Sequence, residues 1–296
     1  MTEDSMKKRL YVSLALITLS LALHIVLIPK DMEVINSIDF DIPESSGHVS
    51  NLPWTEDERF LKAQKDAKAH VLMSAFCTVF NDPSPGEEFN VHLAAKSIAG
   101  IVIQPNEVFS QNKAIGPYDE QKGYKPGESF AGSEIVTTIG GGVCKIASTL
   151  YNVAVSSNLE ILERYNHFMP VPYVPYGQDA TVAYGYKDLK FKNNTEFPIL
   201  IWAEGKENRI YLALYGQEKP PKVEWKHKVL DRLKPSKVYK INPSLPKGEE
   251  RLLIEGMDGA LVDSWVIITD HDGNISSKKM GKSRYWPMPY IIETNK

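Results

Sequence analysis

The sequence predicts a membrane-anchored α+β protein, in which a mixed α/β domain is followed by a small all-β module. Three features carry that expectation. An uncharged run near the N-terminus is long enough to span a bilayer. Apolar residues over 143–156 recur at helical spacing among shorter β-prone runs. Beyond residue 216 the β-prone runs continue, separated by turn residues, with no second helical period.

The anchor is read from Lys7-Lys8-Arg9, the uncharged stretch Leu10 to Ile28, and the closing Pro29-Lys30. About 20 apolar residues rising 1.5 Å each cross a hydrocarbon core of about 30 Å. The cationic flank is retained in the cytoplasm, which directs the rest of the chain outward. A cleavable signal peptide would be shorter and would end on a small-x-small site, which Leu23 to Leu27 does not offer. The expected organisation is a cytoplasmic tail at 1–9, a signal anchor at 10–29, a stalk at 30–69, the mixed domain at 70–216 and the β module at 217–296.

Ser45-Ser46-Gly47 and Asn51-Leu52-Pro53 break the stalk, and Thr55 with Glu58 reads as a capping box. Val71 to Phe80 is a β-prone run stopped by Asn81-Asp82-Pro83, and a short helix is expected from Asn90 to Ile98. Ile101 to Ile103 is a buried strand candidate, and loops dominate 104–139. The helix over 143–156 has apolar positions 143, 146, 147, 150, 153 and 154 on one face. Strands are expected at Leu159–Arg164, Val171–Val174, Ala180–Tyr184 and Leu189–Lys192, then a hairpin from Pro198–Glu204 and Arg209–Tyr215. In the last module, Asn242-Pro243, Asp258-Gly259 and Asp272-Gly273 punctuate short strands.

Composition narrows the function. A chain of 296 residues with net charge −3 lacks the basic excess a nucleic-acid surface needs. Two cysteines, Cys77 and Cys144, make neither a disulfide scaffold nor a zinc ribbon. No HxxxH, HxH or CxxC spacing occurs and the seven histidines are scattered, so no metal or other cofactor is expected.

The chemistry centres on Gly140-Gly141-Gly142-Val143-Cys144 at a helix start. Glycine accepts positive φ and lets a ligand's backbone come close. A cysteine in the first helical turn meets unpaired N–H groups and the positive end of the dipole, which favour thiolate, and Lys145 adds charge. A small buried cysteine beside a packing turn is an equally open reading, and a Cys77–Cys144 bridge is a third. His167 is the candidate base and Asp179 the candidate orienting carboxylate of a Cys–His–Asp unit. Asn106, Ser110 and Asn112 lie in a polar loop that would line a cleft with amide and hydroxyl groups, or would simply be solvated.

At these residues a family resemblance emerges. Pro105-Asn106-Glu107-Val108-Phe109-Ser110 with Asn112 and Gly116 resembles the opening motif of the VanW family. Gly140 to Cys144, followed by Ser148-Thr149-Leu150-Tyr151-Asn152, is similar to its central signature. Glu163-Arg164, His167, Tyr173-Val174-Pro175, Gly177 and Asp179-Ala180 continue it. The resemblance covers about residues 70–216 and implies a pocket reached by Gly140, Gly141, Gly142, Lys145, Ser148 and Tyr151. Lys145 stands where family members usually carry glutamine. The last module resembles a five-glycine envelope domain, with Asn242 to Glu249 as its opening motif.

Together these imply a membrane-anchored, extracellular cell-envelope protein that binds or modifies peptidoglycan or another wall polymer. The alternative is a thiol-dependent transferase or hydrolase of wall peptide stems with Cys144 as nucleophile. In that case the Gly140–Gly142 amides would hold the oxyanion.

Overall fold

Two long apolar strands dictate the centre of the fold. In the computed structural model, which describes residues 44–131 and 134–296, β2 (Val71–Val79) and β10 (Arg209–Gly216) are buried almost end to end. A strand reads as continuously apolar when both of its faces are covered. Here β1 (Gly47–His48), β2, β10, β9 (Ile199–Lys206) and β3 (Val102–Ile103) form an antiparallel sheet in the order β1-β2-β10-β9-β3. The expected 198–215 hairpin is β9–β10, with a tight turn at Glu207-Asn208.

Alternate side chains take opposite faces. Ile201, Ala203, Ile210, Leu212 and Leu214 join the main core, packed under helix α2 (Pro85–Ile98) and helix α4 (Cys144–Ser156). On the other face Trp202 and Tyr215 meet Phe60 of helix α1 (Glu58–Ala67), with ring centroids 5.2 and 4.9 Å apart. Trp54 Nε1 donates to the Tyr215 hydroxyl at 2.9 Å.

Residues 44–69 are therefore no stalk. They cover the second face of the sheet, with Leu52, Trp54, Phe60 and Ala67 buried. Asp57 caps α1, accepting from the amides of Arg59 and Phe60, in place of the Thr55–Glu58 box. The tail at 1–9, the anchor at 10–29 and the first part of the expected stalk, 30–43, lie outside the described residues. No helix among the described residues is long and apolar enough to cross a membrane.

Helix α2 starts earlier than expected, at Pro85, capped by Ser84. Proline at the first helical position loses no hydrogen bond, so Ser84-Pro85 outcompetes Asn90 as the start. Asn90 is buried within the helix. Its amide donates to Lys125 O at 2.8 Å and Gly141 O at 3.0 Å, and its carbonyl accepts from Lys125 N at 2.8 Å. Those bonds tie the glycine turn to the strand pair β5 (Pro126–Ala131) and β6 (Glu134–Ile139). A small sheet, β4-β8-β7, holds β4 (Val108–Ser110), β7 (Glu160–Glu163) and β8 (Lys190–Lys192), with the short helix α3 (Gln111–Ile115) following β4.

The expected strands at 171–174 and 180–184 are absent. Between β7 and β8 the chain forms only the isolated bridges Tyr165–Thr181 and Ala183–Lys187. Side chains take up its backbone groups instead. Ser148 Oγ on α4 accepts from Ala180 N at 3.0 Å, and Asn152 Nδ2 donates to Gln178 O at 2.8 Å.

The C-terminal module is all β, as expected. Strands β11 (Lys222–Leu233), β14 (Gly259–Thr269) and β15 (Ile275–Tyr285) form one antiparallel sheet. Strands β12 (Lys237–Ile241), β16 (Tyr290–Thr294) and β13 (Glu250–Ile254) form a second, with β12 parallel to β16. The first of these sheets shares its core with the preceding domain: Val266 is buried in the main cluster, and Val223, Trp225, Ile268 and Met280 pack against it. Trp225 lies 5.7 Å from the Tyr151 ring of α4.

Because the core is continuous, Trp225→Ala should cost about 2–4 kcal/mol. Chemical denaturation followed by tryptophan fluorescence and far-ultraviolet circular dichroism should show one coincident transition. Two separate transitions in the wild-type chain would contradict a shared core.

Candidate functional site

Cys144 is the first residue of α4, and three glycines set it there by close approach. A Cβ on Gly141 would lie 2.3 Å from the carbonyl oxygen of Gly127. Gly140 (φ +78°) packs on Tyr118 and Gly142 (φ +100°) on Glu87, each with 2.7 Å to the nearest atom of a would-be Cβ. The close approach is made by the protein's own hairpin and helix. The amides of Gly140 and Gly141 are spent on Lys125 O at 3.0 Å and Thr138 O at 3.1 Å. Those two therefore cannot serve as an oxyanion hole. Among the described residues the amides of Gly142 and Cys144 have no backbone partner.

The loop clamped by Ser148 and Asn152 brings His167 and Asp179 to the thiol. Asp179 is only 1% exposed. Its Oδ2 accepts from the His167 backbone amide and from Nδ1 of the His167 ring, both at 2.7 Å. Its Oδ1 accepts from Arg164 Nη2 at 2.8 Å and from the Tyr285 hydroxyl. With Nδ1 engaged, the other ring nitrogen is left for Cys144, which lines the same cleft as His167 and is electrostatically coupled to it. Tyr173 stands edge-on to the imidazole, 6.4 Å away. The half-buried sulfur also meets Thr181 Oγ1 at 3.4 Å, and the Val182 amide donates to it at 3.5 Å.

Burial alone would push the Cys144 thiol up, since it penalises the charged form. The neighbouring His167, with Thr181 and Val182, outweighs it and brings the thiol down to about 7. Burial likewise opposes an imidazolium at His167, yet Asp179 and the sulfur hold it up at about 9. Asp179 stays below the usual carboxylate range: burial works against ionisation, and His167 and Arg164 overcome it. Between about pH 7 and 9 these shifts favour a thiolate–imidazolium pair oriented by a buried carboxylate.

Two clefts meet at Cys144. One, of about 400 Å³, runs along Phe80, Asp82, Glu87, Lys145, His167 and Tyr173. The other, of about 370 Å³, is bounded by Tyr118, Ile139, Gly140 and Tyr184. Cys144, Gly142, Ser129 and Val182 line both. A cleft of about 460 Å³ at Asn158, Glu218 and His271 contains no thiol.

The other residues singled out from the sequence divide. Lys145 faces the first cleft, but its ammonium is paired with Glu87, both side chains being about nine-tenths buried. It gives the thiol little net charge. Ser148 clamps the Asp179 loop, and Tyr151 is buried between Trp225 and the Arg164 guanidinium. Asn106, Ser110 and Asn112 line neither cleft beside Cys144. Asn106 occupies a positive-φ turn, Ser110 Oγ donates to Asp188 Oδ2 at 2.6 Å, and Asn112 Nδ2 donates to Lys187 O at 2.9 Å. Cys77 is fully buried in β2, both cysteines are free, and no bridge joins them. Thr181, Glu87 and Tyr285 had no spacing signal, since each reaches the site only through the tertiary fold. Among the described residues no cluster of His, Cys, Asp and Glu could hold a metal ion.

Residues 86–215 match the family model described as VanW like protein. Over 172 residues the chain is 36% identical to the uncharacterized protein YoaR of Bacillus subtilis (strain 168), covering 57% of this chain and 57% of that protein. Over 163 residues it is 29% identical to the Vancomycin B-type resistance protein VanW of Enterococcus faecalis (strain ATCC 700802 / V583), covering 51% of this chain and 59% of that one. The chain thus spans less than two thirds of either relative. Among solved structures, the G5 domain of IgA1 protease is similar at 21% identity, covering 27% of this chain and 95% of that one, with a TM-score of 0.17. The HP0197-G5 structure is similar at 20% identity, covering 25% of this chain and 97% of that one, with a TM-score of 0.15.

Alkylation of the folded chain should rise through a midpoint near pH 7 at Cys144. In His167→Ala the midpoint should return toward the ordinary thiol value of about 8.5. Equal midpoints in the two proteins would refute the pairing. Gly141→Ala, which drives a methyl into the Gly127 carbonyl, should lower stability by about 1–3 kcal/mol or more.

Proposed function

For a chain that carries a VanW-like domain, we propose that Cys144 is the nucleophile of an acyl-transfer or hydrolysis reaction on wall peptide stems. The observation that carries this is a thiol at the meeting of two clefts, sharing one of them with a His167 ring that Asp179 holds at 2.7 Å. A thiolate beside an imidazolium is a ready nucleophile with a proton donor next to it.

The steps follow from the groups present. The sulfur attacks a peptide carbonyl carbon, and the carbonyl electrons move to its oxygen. That oxyanion falls to the amides of Gly142 and Cys144 rather than those of Gly140 and Gly141. As the carbonyl reforms, the C–N bond breaks and His167 delivers its proton to the leaving amine. The acyl group is left as a thioester on Cys144. An incoming amine or water then attacks the thioester carbonyl, giving its proton to His167 and releasing the thiolate. Asp179 keeps the ring oriented throughout and stabilises its charge.

Wall peptides are favoured as the substrate class by three considerations. One relative is named a vancomycin resistance protein. Similarity to the VanW family fits a cell-wall-associated protein. The run Leu10–Ile28 would tether the domain outside the membrane, where those peptides lie.

Incubating the full-length chain with isolated wall sacculi, then analysing the released muropeptides and the mass of the protein, tests the reading. A transient acyl adduct on Cys144 and altered peptide stems are expected, and Cys144→Ala should lose at least about a thousandfold in rate. Turnover undiminished in Cys144→Ala would dismiss it. The rate should climb as pH passes about 7, where the thiol ionises, and fall as it passes about 9, where the imidazolium loses the proton it must donate. These limbs belong to the coupled pair.

A further inference from the structure

The loop that carries His167 and Asp179 is bound along its length by the C-terminal module. Asn166 Nδ2 donates to Arg284 O at 2.8 Å, and Trp286 N donates to Phe168 O at 2.8 Å. The neighbours of His167 are thus tied to the neighbours of Tyr285. Between those ties the Tyr285 hydroxyl donates to Asp179 Oδ1 and accepts from Gly177 N at 2.8 Å. Ser283 Oγ accepts from Arg164 Nη1 at 2.7 Å, fixing the guanidinium that holds the same carboxylate oxygen. Gly177 has φ +88°, and a Cβ there would lie 2.3 Å from Ser264 Oγ, so the two modules meet backbone to side chain. Tyr285, Ser283 and Asp179 are all buried.

From this we infer that Tyr285 and Ser283, on β15 of the C-terminal module, are positioning residues for the thiol site, so that Cys144 is activated only while that module is docked. The inference rests on reading Cys144, His167 and Asp179 as the reactive unit. Its physical content is simple. A buried carboxylate resists ionisation unless donors surround it. Tyr285 supplies one of the two side-chain donors to Oδ1, and Ser283 steadies the other. Without them Asp179 is freer to rotate or take a proton, and it grips the imidazole less firmly. The imidazolium is then less stable, and so is the thiolate beside it.

The charged and titratable groups facing the pair come from several elements. Arg164, Tyr285 and Tyr151 face Asp179, while Tyr118 and Tyr173 face Cys144. The four phenols are all held above their ordinary range by burial, so they stay neutral across the interval in which the thiol titrates.

The test is the pH profile of Cys144 alkylation in the full-length chain, with thermal unfolding recorded for each variant. Tyr285→Phe keeps the ring and removes only the hydroxyl. Its labelling midpoint should rise by about one pH unit, which at pH 6 slows labelling about tenfold. Ser283→Ala should shift the midpoint the same way by less, and it decides the matter if Tyr285→Phe fails to unfold cooperatively. Midpoints unchanged or lowered in both, with Asp179→Asn raised, would overturn the role of the C-terminal module and leave the reactive unit standing. Midpoints unchanged in Asp179→Asn and His167→Ala as well would overturn the reactive unit, and this inference with it. A merely structural Tyr285 would lower the unfolding temperature without moving the profile.

Discussion

A carboxylate sealed from solvent has to be answered on every side, and most of the ordered structure around Asp179 serves to do so. Four donors reach its two oxygens, from the His167 backbone, the His167 ring, Arg164 and Tyr285. Removing one partner of such a buried charge commonly costs about 3–5 kcal/mol, because the other is left unanswered. The loop bearing Asp179 has almost no ladder hydrogen bonds of its own. It is held by side chains of α4 on one flank and by β15 on the other. Helix, loop and C-terminal sheet therefore depend on one another through a single buried charge.

The glycine turn shows the same economy of space. Its three glycines bring α4 against Gly127, Glu87 and Tyr118 with no room for any side chain. Asn90 stitches the turn to the strand before it. The result is a thiol whose position is fixed by backbone contact, with a cleft on each side. Conformational permissiveness and tight approach act together here: Gly140 and Gly142 need positive φ, and Gly141 needs the absence of a Cβ.

Much of this was legible in the sequence, and the misses have physical causes. Helical periodicity located α4, and Ile199–Lys206 with Arg209–Gly216 announced their hairpin, since local patterning governs both. Cys144, His167 and Asp179 stood out by residue type, order and motif. Residues 44–69 were misread because glycine, proline and serine mark linkers, while the two aromatics that bind this segment to the sheet, Trp54 and Phe60, act only at long range. The expected strands at 171–174 and 180–184 give way to a loop whose backbone groups are taken up by Ser148 and Asn152. Polar Ser110 and Asn112 resemble ligand groups, but their side chains bond to Asp188 and Lys187 of the protein, and Asn106 shapes a positive-φ turn. Nothing local marks Tyr285 as a neighbour of Asp179, more than a hundred residues away.

The second cysteine gives the molecule an unusual practical property. Cys77 is walled into the middle of the central sheet, and burial pushes its thiol up to about 11, so in the folded chain it is chemically silent at neutral pH. With two cysteines in the chain and no cystine, a thiol reagent should count one equivalent while the sheet is closed and two once it opens. The stoichiometry of labelling thus becomes a gauge of global opening, read from the same reaction that reports on Cys144.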